Sequence, residues 1–472
     1  MPHAYSAIKC AVGIALLSLI FILVFGTFYC PVREPKPYET EIILSALDGM
    51  SYDEQIRNHR EYNIYRMKSS VFLDYAKRGL YADSQISNFT KMLKRNLYGN
   101  THSESPSSEL SSDMVDELRQ FILKYLGTEL TKYTVIFTLS EGQALKAFME
   151  SLPLNDSSIF LYSKSSNMNI LGLRQYVFYG RTEMFNFDKF EIPDLDENVR
   201  NVIAFPLVDL FNGEVVGEDN IEKVLELGKK KNILSLVDAS LYLTTNKLNL
   251  TETPFTAVSI SFEKLFSFPK LGALILNNEM IKELQKPYFG GGTLVYALPS
   301  FDFAKLRLRP SERFEDGSLP FLSLIAVKNG FDLRKQLGEV NIYNHIQNIT
   351  NKIKEKILLL KNPDGSNATI LYGNNQKSIL TFNFIDKDKN IKPFEKYFSN
   401  ALNNNIILSS GCHLTPGTCF ESLGINETYV SENIETFNIS NVGALRVSVG
   451  WANNDKDVEK FDQWLHSVVK KY

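Results

Sequence analysis

Cysteine is scarce in this chain: four in 472 residues, at Cys10, Cys30, Cys412 and Cys419. Cys10 and Cys30 bound an apolar stretch, and only two cysteines remain for the rest of the chain. That usage excludes a disulfide framework and gives no zinc-ligand spacing; Cys412 and Cys419 read as small buried apolar residues. An excess of charge is also missing. The 51 basic residues face 54 acidic ones, for a net charge of −3. No basic footprint of a nucleic-acid binder is present, so nucleic acid is excluded as a partner. No internal repeat is visible. What is present, 44% hydrophobic residues over 472 positions, suits an ordinary globular protein large enough for two domains with substantial cores.

Charge is wholly absent from residues 10–32, which Lys9 and Arg33 bracket. Roughly 20 apolar residues span a bilayer as a helix, and this stretch exceeds the apolar core of a typical signal peptide. The expectation is one uncleaved transmembrane helix in contact with the lipid bilayer, hence a membrane location. Lys9 on one side and Arg33 and Lys36 on the other do not orient it. The sequons at Asn88, Asn155, Asn348, Asn367 and Asn438 do not settle sidedness in so asparagine-rich a chain.

Four segments emerge from the texture of the chain. Residues 1–38 are anchor and proline-rich spacer, and 39–70 a polar helical lead-in. Within 71–330, short apolar runs alternate with amphipathic ones: Val135–Phe137, Ile159–Tyr162, Val202–Phe205, Ile233–Val237, Ala257–Phe262 and Ala273–Leu276. That rhythm predicts a layered α/β domain with a mostly parallel sheet, whose strand C-termini gather the binding loops. Residues 331–472 predict a smaller α+β domain, with a long helix over Val340–Leu360, strands near Ile379–Ile385 and Ala444–Val449, and a final helix over Asp455–Val468.

Two polar residues stand at the ends of these runs. Asp238 closes Ile233–Val237, and Lys264 comes just after Ala257–Phe262. A carboxylate and an amine on strand ends are what pyridoxal 5'-phosphate (PLP) needs. The amine attaches the cofactor covalently, and the carboxylate keeps its ring nitrogen protonated. Either residue alone is more simply a solvated loop residue.

The surrounding motifs resemble the class V aminotransferases, and most closely the cysteine-desulfurase-like domain of molybdenum cofactor sulfurases. They run in order through Tyr98-Gly99-Asn100-Thr101-His102-Ser103, Gly172-Leu173-Arg174, Val237-Asp238-Ala239 and Ser261-Phe262-Glu263-Lys264. Tyr288-Phe289-Gly290-Gly291-Gly292-Thr293, Phe314-Glu315-Asp316-Gly317, Pro416-Gly417-Thr418-Cys419 and Leu445-Arg446-Val447-Ser448 complete the set. The resemblance implies fold type I of the PLP-dependent transferases, with a large seven-stranded sheet, and a homodimer. It makes Lys264 the attachment point and Asp238 the partner of the ring nitrogen. Ser261 and Ser140 would contact the phosphate, and Thr293, with Gly291 and Gly292, would reach the phosphate of the neighbouring subunit. Arg446 and His102 would bind an amino-acid substrate. For Arg446 a bidentate grip on a carboxylate suits the guanidinium, and a structural ion pair is the plainer alternative.

Three departures from the family pattern restrict the chemistry that the resemblance implies. The phosphate-binding turn reads Ser140-Glu141-Gly142, which sets a carboxylate beside a dianion. The residue expected to stack on the cofactor ring and move protons, a histidine in the family, is Asn167, which cannot titrate. The cysteine loop reads Ser409-Ser410-Gly411-Cys412-His413-Leu414-Thr415, with Leu414 where the family has its sulfur-accepting cysteine. Cys412 is the nearest substitute nucleophile. Full-length sulfurases also carry a molybdopterin-associated C-terminal domain, which these 472 residues do not contain. Three readings follow: a PLP-dependent lyase or transferase with diverged chemistry, an inactive class V scaffold, and molybdenum cofactor sulfuration as in the family it most resembles, against which Leu414 argues.

Overall fold

The computed structural model describes residues 50–178 and 180–471. Residues 51–472 form one compact unit that carries two main sheets. The larger is built from β1 (Tyr133–Thr138), β2 (Ile159–Ser163), β3 (Arg181–Phe185), β4 (Asn201–Pro206), β5 (Ile233–Asp238), β6 (Ala257–Ser261) and β7 (Gly272–Asn277), in the order β1-β7-β6-β5-β4-β2-β3. The sheet is mixed. Strands β3, β2, β4, β5 and β6 pair in parallel, whereas β7 is antiparallel to both β6 and β1. Only residues 262–271 join β6 to β7. That is short of the dozen or so residues a parallel crossover requires, so the chain must turn back.

Alternation along the strands feeds both faces. Val135 and Phe137 of β1, Ile233 and Val237 of β5, and Val258 and Ile260 of β6 join one cluster. Ile136, Leu234, Leu236 and Ala257 join the cluster on the other side. Helices α1 (Pro106–Tyr125) and α2 (Glu141–Glu150) cover opposite faces, through Val115, Leu118 and Ile122 on one and Ala144, Leu145 and Phe148 on the other. Further along the chain come α3 (Glu218–Lys231), which crosses from β4 to β5, the five-residue α4 (Phe262–Phe266), and α5 (Phe321–Leu337). Every residue of β4, β5 and β6 is buried, which is why they read as continuous apolar runs. The edge strand β3 is mostly exposed or half-exposed, and the sequence carries no comparable signal for it.

Gly338, at φ 81°, ends α5 and starts α6 (Glu339–Leu359). Ile342, Ile346, Ile349, Ile353 and Ile357 fall three and four residues apart, so one face of α6 is apolar and buried. Each such side chain contributes about 1.5–3 kcal/mol on burial. This face packs on the second sheet, β8 (Thr369–Tyr372), β9 (Ile379–Phe384), β10 (Ser409–Gly411) and β11 (Ala444–Ser448), in the order β8-β9-β11-β10. Helices α7 (Phe394–Asn403), α8 (Pro416–Leu423) and α9 (Asp455–Lys471) complete this part.

Several expectations change here. No helix among the described residues is long and apolar enough to cross a membrane. The expected span over residues 10–32 lies outside the described residues, and the membrane location and bilayer contact that rested on it are not retained. The helical lead-in is described only from residue 50 on, where Tyr52–Asn58 is helical behind a Ser51–Glu54 capping box. The strand expected to run through Phe262 stops at Ser261, because Phe262 already begins α4.

One buried ion pair ties α1 to the sheet. Arg119 grips Glu315 with both guanidinium nitrogens, at 2.7 and 2.8 Å, and Glu315 also accepts from the Phe137 N–H. Removing one partner strands a buried charge, which costs about 3–5 kcal/mol. Glu315→Leu is therefore expected to lower the unfolding free energy by about that much in urea titration. Adding Arg119→Met should recover part of the loss. A single-variant loss below about 1 kcal/mol would show that the pair does not anchor the helix.

Candidate active site

Strands β5 and β6 pair in parallel with Asp238 opposite Ser259. Parallel register brings their C-terminal ends to the same side, so Asp238, Ser261 and the first turn of α4 share one edge of the sheet. Lys264 is the third residue of α4. Ser261 is the N-cap residue of that turn, but its hydroxyl makes no capping bond; it bonds the Glu141 carboxylate instead.

Facing this edge is the start of α2. A Cβ on Gly272 would stand 2.5 Å from the Ser140 carbonyl carbon and 2.7 Å from the Glu141 nitrogen, so only glycine lets the helix start press against β7. Ser259 Oγ donates to the Glu141 carbonyl at 3.0 Å and fixes it from β6. With its backbone held in this way, the Glu141 carboxylate turns inward. Its Oε1 lies 3.0 Å from Lys264 Nζ, with both side chains largely buried. Burial pushes the Glu141 carboxyl up. The Lys264 ammonium, a backbone amide and the Ser261 hydroxyl outweigh that and hold it below its ordinary value. At an effective dielectric near 20, such a pair gains about 4 kcal/mol of attraction. Ser140 acts as the helix cap, its oxygen accepting from the Gln143 N–H at 3.3 Å.

Asp238 is likewise matched from within. Asn167 Nδ2 donates to its Oδ2 at 3.0 Å, and the Ser240 N–H donates to its Oδ1 at 3.0 Å. Asn167 is oriented by its own helical turn, since its Oδ1 accepts from the Asn169 and Ile170 N–H groups. That leaves the amide nitrogen to face the carboxylate.

Arg446, on β11, is buried. Nη1 donates to the Leu210 carbonyl at 2.9 Å and Nη2 stands 3.5 Å from Asp74 Oδ1, so the guanidinium is held in a structural ion pair. Its Nε has no partner. Thr293 and His102 lie in another cluster. The Thr293 hydroxyl is bonded within the Gly290 turn, and a Cβ on Gly292 would fall 2.2 Å from His102 Nε2. The His102 ring stands against Gly292 and interacts with Gly317, Arg307 and Glu312, and its backbone N–H donates to Asn100; neither Lys264 nor Asp238 is among these. The structure thus brings Lys264, Ser261, Ser140, Asp238 and Asn167 to one edge and leaves Thr293 and His102 in their own turn.

The cysteine loop corrects a further expectation. Cys412 and Cys419 are joined as a disulfide, with Cα atoms 5.3 Å apart, and are not two separate buried thiols. His413 and Leu414 take left-handed conformations, φ 52° and 64°, and α8 then starts at Pro416, so one helical turn carries Cys419 back to Cys412. The pairing depends on this local reversal, which spacing alone does not announce. Cys412 is therefore not a thiolate nucleophile here. The Leu414 side chain is exposed while its carbonyl accepts from the Met168 N–H at 2.9 Å, beside Asn167. His413 lies against Phe211, with ring centroids 6.0 Å apart. Burial, reinforced by Arg446, pushes its pKa well below the ordinary histidine value. Asp209 holds this loop from the large sheet: it accepts from Thr418 Oγ1 at 2.5 Å and from the Phe211 N–H at 2.6 Å. The sequence reading missed it, and its only signal is a lone acidic residue in the apolar run after β4.

Known proteins share both the sequence pattern and the fold. A family model described as aminotransferase class-V matches residues 82–461. The molybdenum cofactor sulfurase of Arabidopsis thaliana is 30% identical over 475 residues, covering 88% of this chain and 58% of its own length. The human molybdenum cofactor sulfurase is 31% identical over 461 residues, covering 87% of this chain and 52% of its own. The chain thus spans little more than half the length of these curated relatives. Among solved structures, the apo cysteine desulfurase of Thermococcus onnurineus NA1 superposes with a TM-score of 0.72 at 17% identity, over 88% of this chain and 98% of that one. A C-DES mutant with glycine covalently linked to its PLP cofactor superposes with a TM-score of 0.66 at 12% identity, over 86% and 98%. These structures establish the shared fold.

Burial raises Asp209 to about 6 from 3.8, with a definite sign for stability. A carboxyl raised on folding contributes stability that is present below the unfolded value and lost as pH climbs through the folded one. Between about pH 4 and pH 6 the chain should therefore lose up to about 3 kcal/mol relative to Asp209→Asn. Paired urea titrations across that window check this, and parallel curves for the two proteins would contradict it.

Proposed function

We propose a function from one premise: the chain belongs to the class V aminotransferase family. It is a PLP-dependent lyase or transferase acting on an amino acid, related to the sulfurases and desulfurases but with diverged sulfur chemistry. The observation that carries this is the meeting of Asp238, Ser261 and Lys264 at the C-terminal edge of two adjacent parallel strands.

The donor set fits the ring and aldehyde of PLP. A buried carboxylate and a lysine match a protonated ring nitrogen and an aldehyde, while the strand-end hydroxyl and the N-terminus of a ten-residue helix that would meet its phosphate hold the Glu141 carboxylate. When bound, PLP supplies an electron sink for bonds at the substrate α-carbon. Asp238, held by Ser240 and Asn167, would keep the ring nitrogen protonated. Lys264 would be the attachment point and the base at the α-carbon once its proton is lost. Arg446, whose buried Nε has no partner, would bind the substrate carboxylate from β11.

Leu414 sets the limit on the chemistry. A leucine cannot take sulfur from a substrate, and the nearest thiol is committed to the Cys412–Cys419 disulfide. Sulfuration of a molybdenum cofactor, the activity named in the curated relatives, is therefore not part of this reading. The second reading, an inactive scaffold, is favoured by a specific observation. Lys264 pairs with Glu141 and Arg446 with Asp74, while the neutral Asn167 amide holds Asp238, so the groups a cofactor and substrate would need are engaged by the chain's own residues. A homodimer completes the proposal. The hairpin of Leu294–Leu298 and Phe303–Leu306 comes directly after Thr293 and exposes Val295, Tyr296, Leu298 and Phe303, a surface suited to a second copy.

Purified protein incubated with PLP and desalted should keep visible absorbance, and Lys264→Ala should lose it. A colourless wild type at saturating PLP would overturn the proposal. With L-cysteine, the coloured protein should release pyruvate, sulfide and ammonia in equal amounts; alanine with sulfur left on the protein would contradict the role given to Leu414. Sedimentation should give a dimer, and Val295→Asp with Tyr296→Asp should shift it toward monomer by at least tenfold in Kd.

A further inference from the structure

The Lys264–Glu141 pair does more than neutralise a lysine. Three features converge on the Glu141 carboxylate: the Lys264 ammonium at 3.0 Å, the Ser261 hydroxyl, and the N-terminus of α2, where Glu141 is the first helical residue and its own backbone amide bonds the carboxylate. Together these are the elements of an anion cradle. The anion held there belongs to the chain. Its backbone is fixed as well, since Ser259 grips the Glu141 carbonyl and Gly272 brings the helix start against β7 with no room for a Cβ between them. Glu141 can leave only by side-chain rotation, after which one more negative charge remains at the rim of the cradle.

We propose that Glu141 is the specificity-determining residue of this pocket, an internal competitor for the cofactor's phosphate that turns the site's preference from the phosphorylated aldehyde toward the unphosphorylated one. The inference rests on the PLP reading above and refines it. A phosphate dianion entering the cradle must displace the carboxylate from Ser261 and the helix N-terminus and then lie beside it. Pyridoxal, which has a neutral hydroxymethyl group in place of the phosphate, meets neither demand. It can use the same aldehyde contact with Lys264 and the same ring-nitrogen contact with Asp238. Selectivity, the ratio of pyridoxal to PLP dissociation constants, is therefore set at one side chain. Affinity for either aldehyde also depends on freeing Lys264 from its partner, so the ratio separates the two effects.

The experiment titrates the full chain with PLP and with pyridoxal, following Lys264-dependent visible absorbance and, independently, ligand-induced shifts in Tm. Wild type should favour PLP by less than threefold or favour pyridoxal. Glu141→Gln keeps the size and removes the charge, so it should move the ratio toward PLP by at least tenfold. Glu141→Ala should move it in the same direction. Glu141→Asp keeps the charge at the helix N-terminus and should leave the ratio within threefold of wild type. Strong PLP preference in the wild type, or an unchanged ratio in Glu141→Gln, overturns the inference while leaving the cofactor reading intact. If no protein in the series shows Lys264-dependent absorbance or a Tm shift with either aldehyde, the cofactor reading fails and the inference with it.

Discussion

Strands β4, β5 and β6 are covered on both faces, so most of their side chains are committed to the two cores and charge stands only at their ends. This constraint governs the rest of the molecule. Parallel register gathers Asp238, Ser261 and α4 on one edge, and the short return to β7 brings the start of α2 against the same edge through Gly272. The site is a consequence of where a fully buried sheet can present charge.

Every charge placed there then needs a partner, because an isolated ion at this depth is expensive. The chain supplies those partners itself, at Glu141, Asn167 and Asp74. These contacts stabilise the site from within the chain. The Glu141 carboxyl stands between the opposing effects of burial and Lys264, whereas the Asn167 amide orients the Asp238 carboxylate.

The second sheet contributes by docking onto the first. Arg446 reaches the Leu210 carbonyl, Thr381 reaches the Phe211 carbonyl, and Thr418 reaches Asp209. All three contacts fall on the loop after β4, so the disulfide-closed turn at His413 and Leu414 is held against the large sheet near Asn167. The Leu414 side chain of that turn is exposed.

The layered α/β architecture, most strands of the large sheet and the Asp238–Lys264 pair are legible in the sequence, because buried strands are continuous apolar runs and strand-end polar residues interrupt them. The helices over Glu339–Leu359 and Asp455–Lys471 are legible for the same reason of periodicity. The mixed sheet, the direction of the Glu141 side chain, the work of Asn167 and the Cys412–Cys419 bond are not. Strand direction at β7 depends on how far ten residues can reach, and the disulfide on two left-handed residues that turn the chain back. The role of Glu141 depends on Lys264, more than a hundred positions away in the chain. Sequence by itself determined which residues are polar at strand ends. Tertiary structure alone decided which of them face one another, because a pair's energy depends on distance in space and on shared burial, and neither is written along the chain.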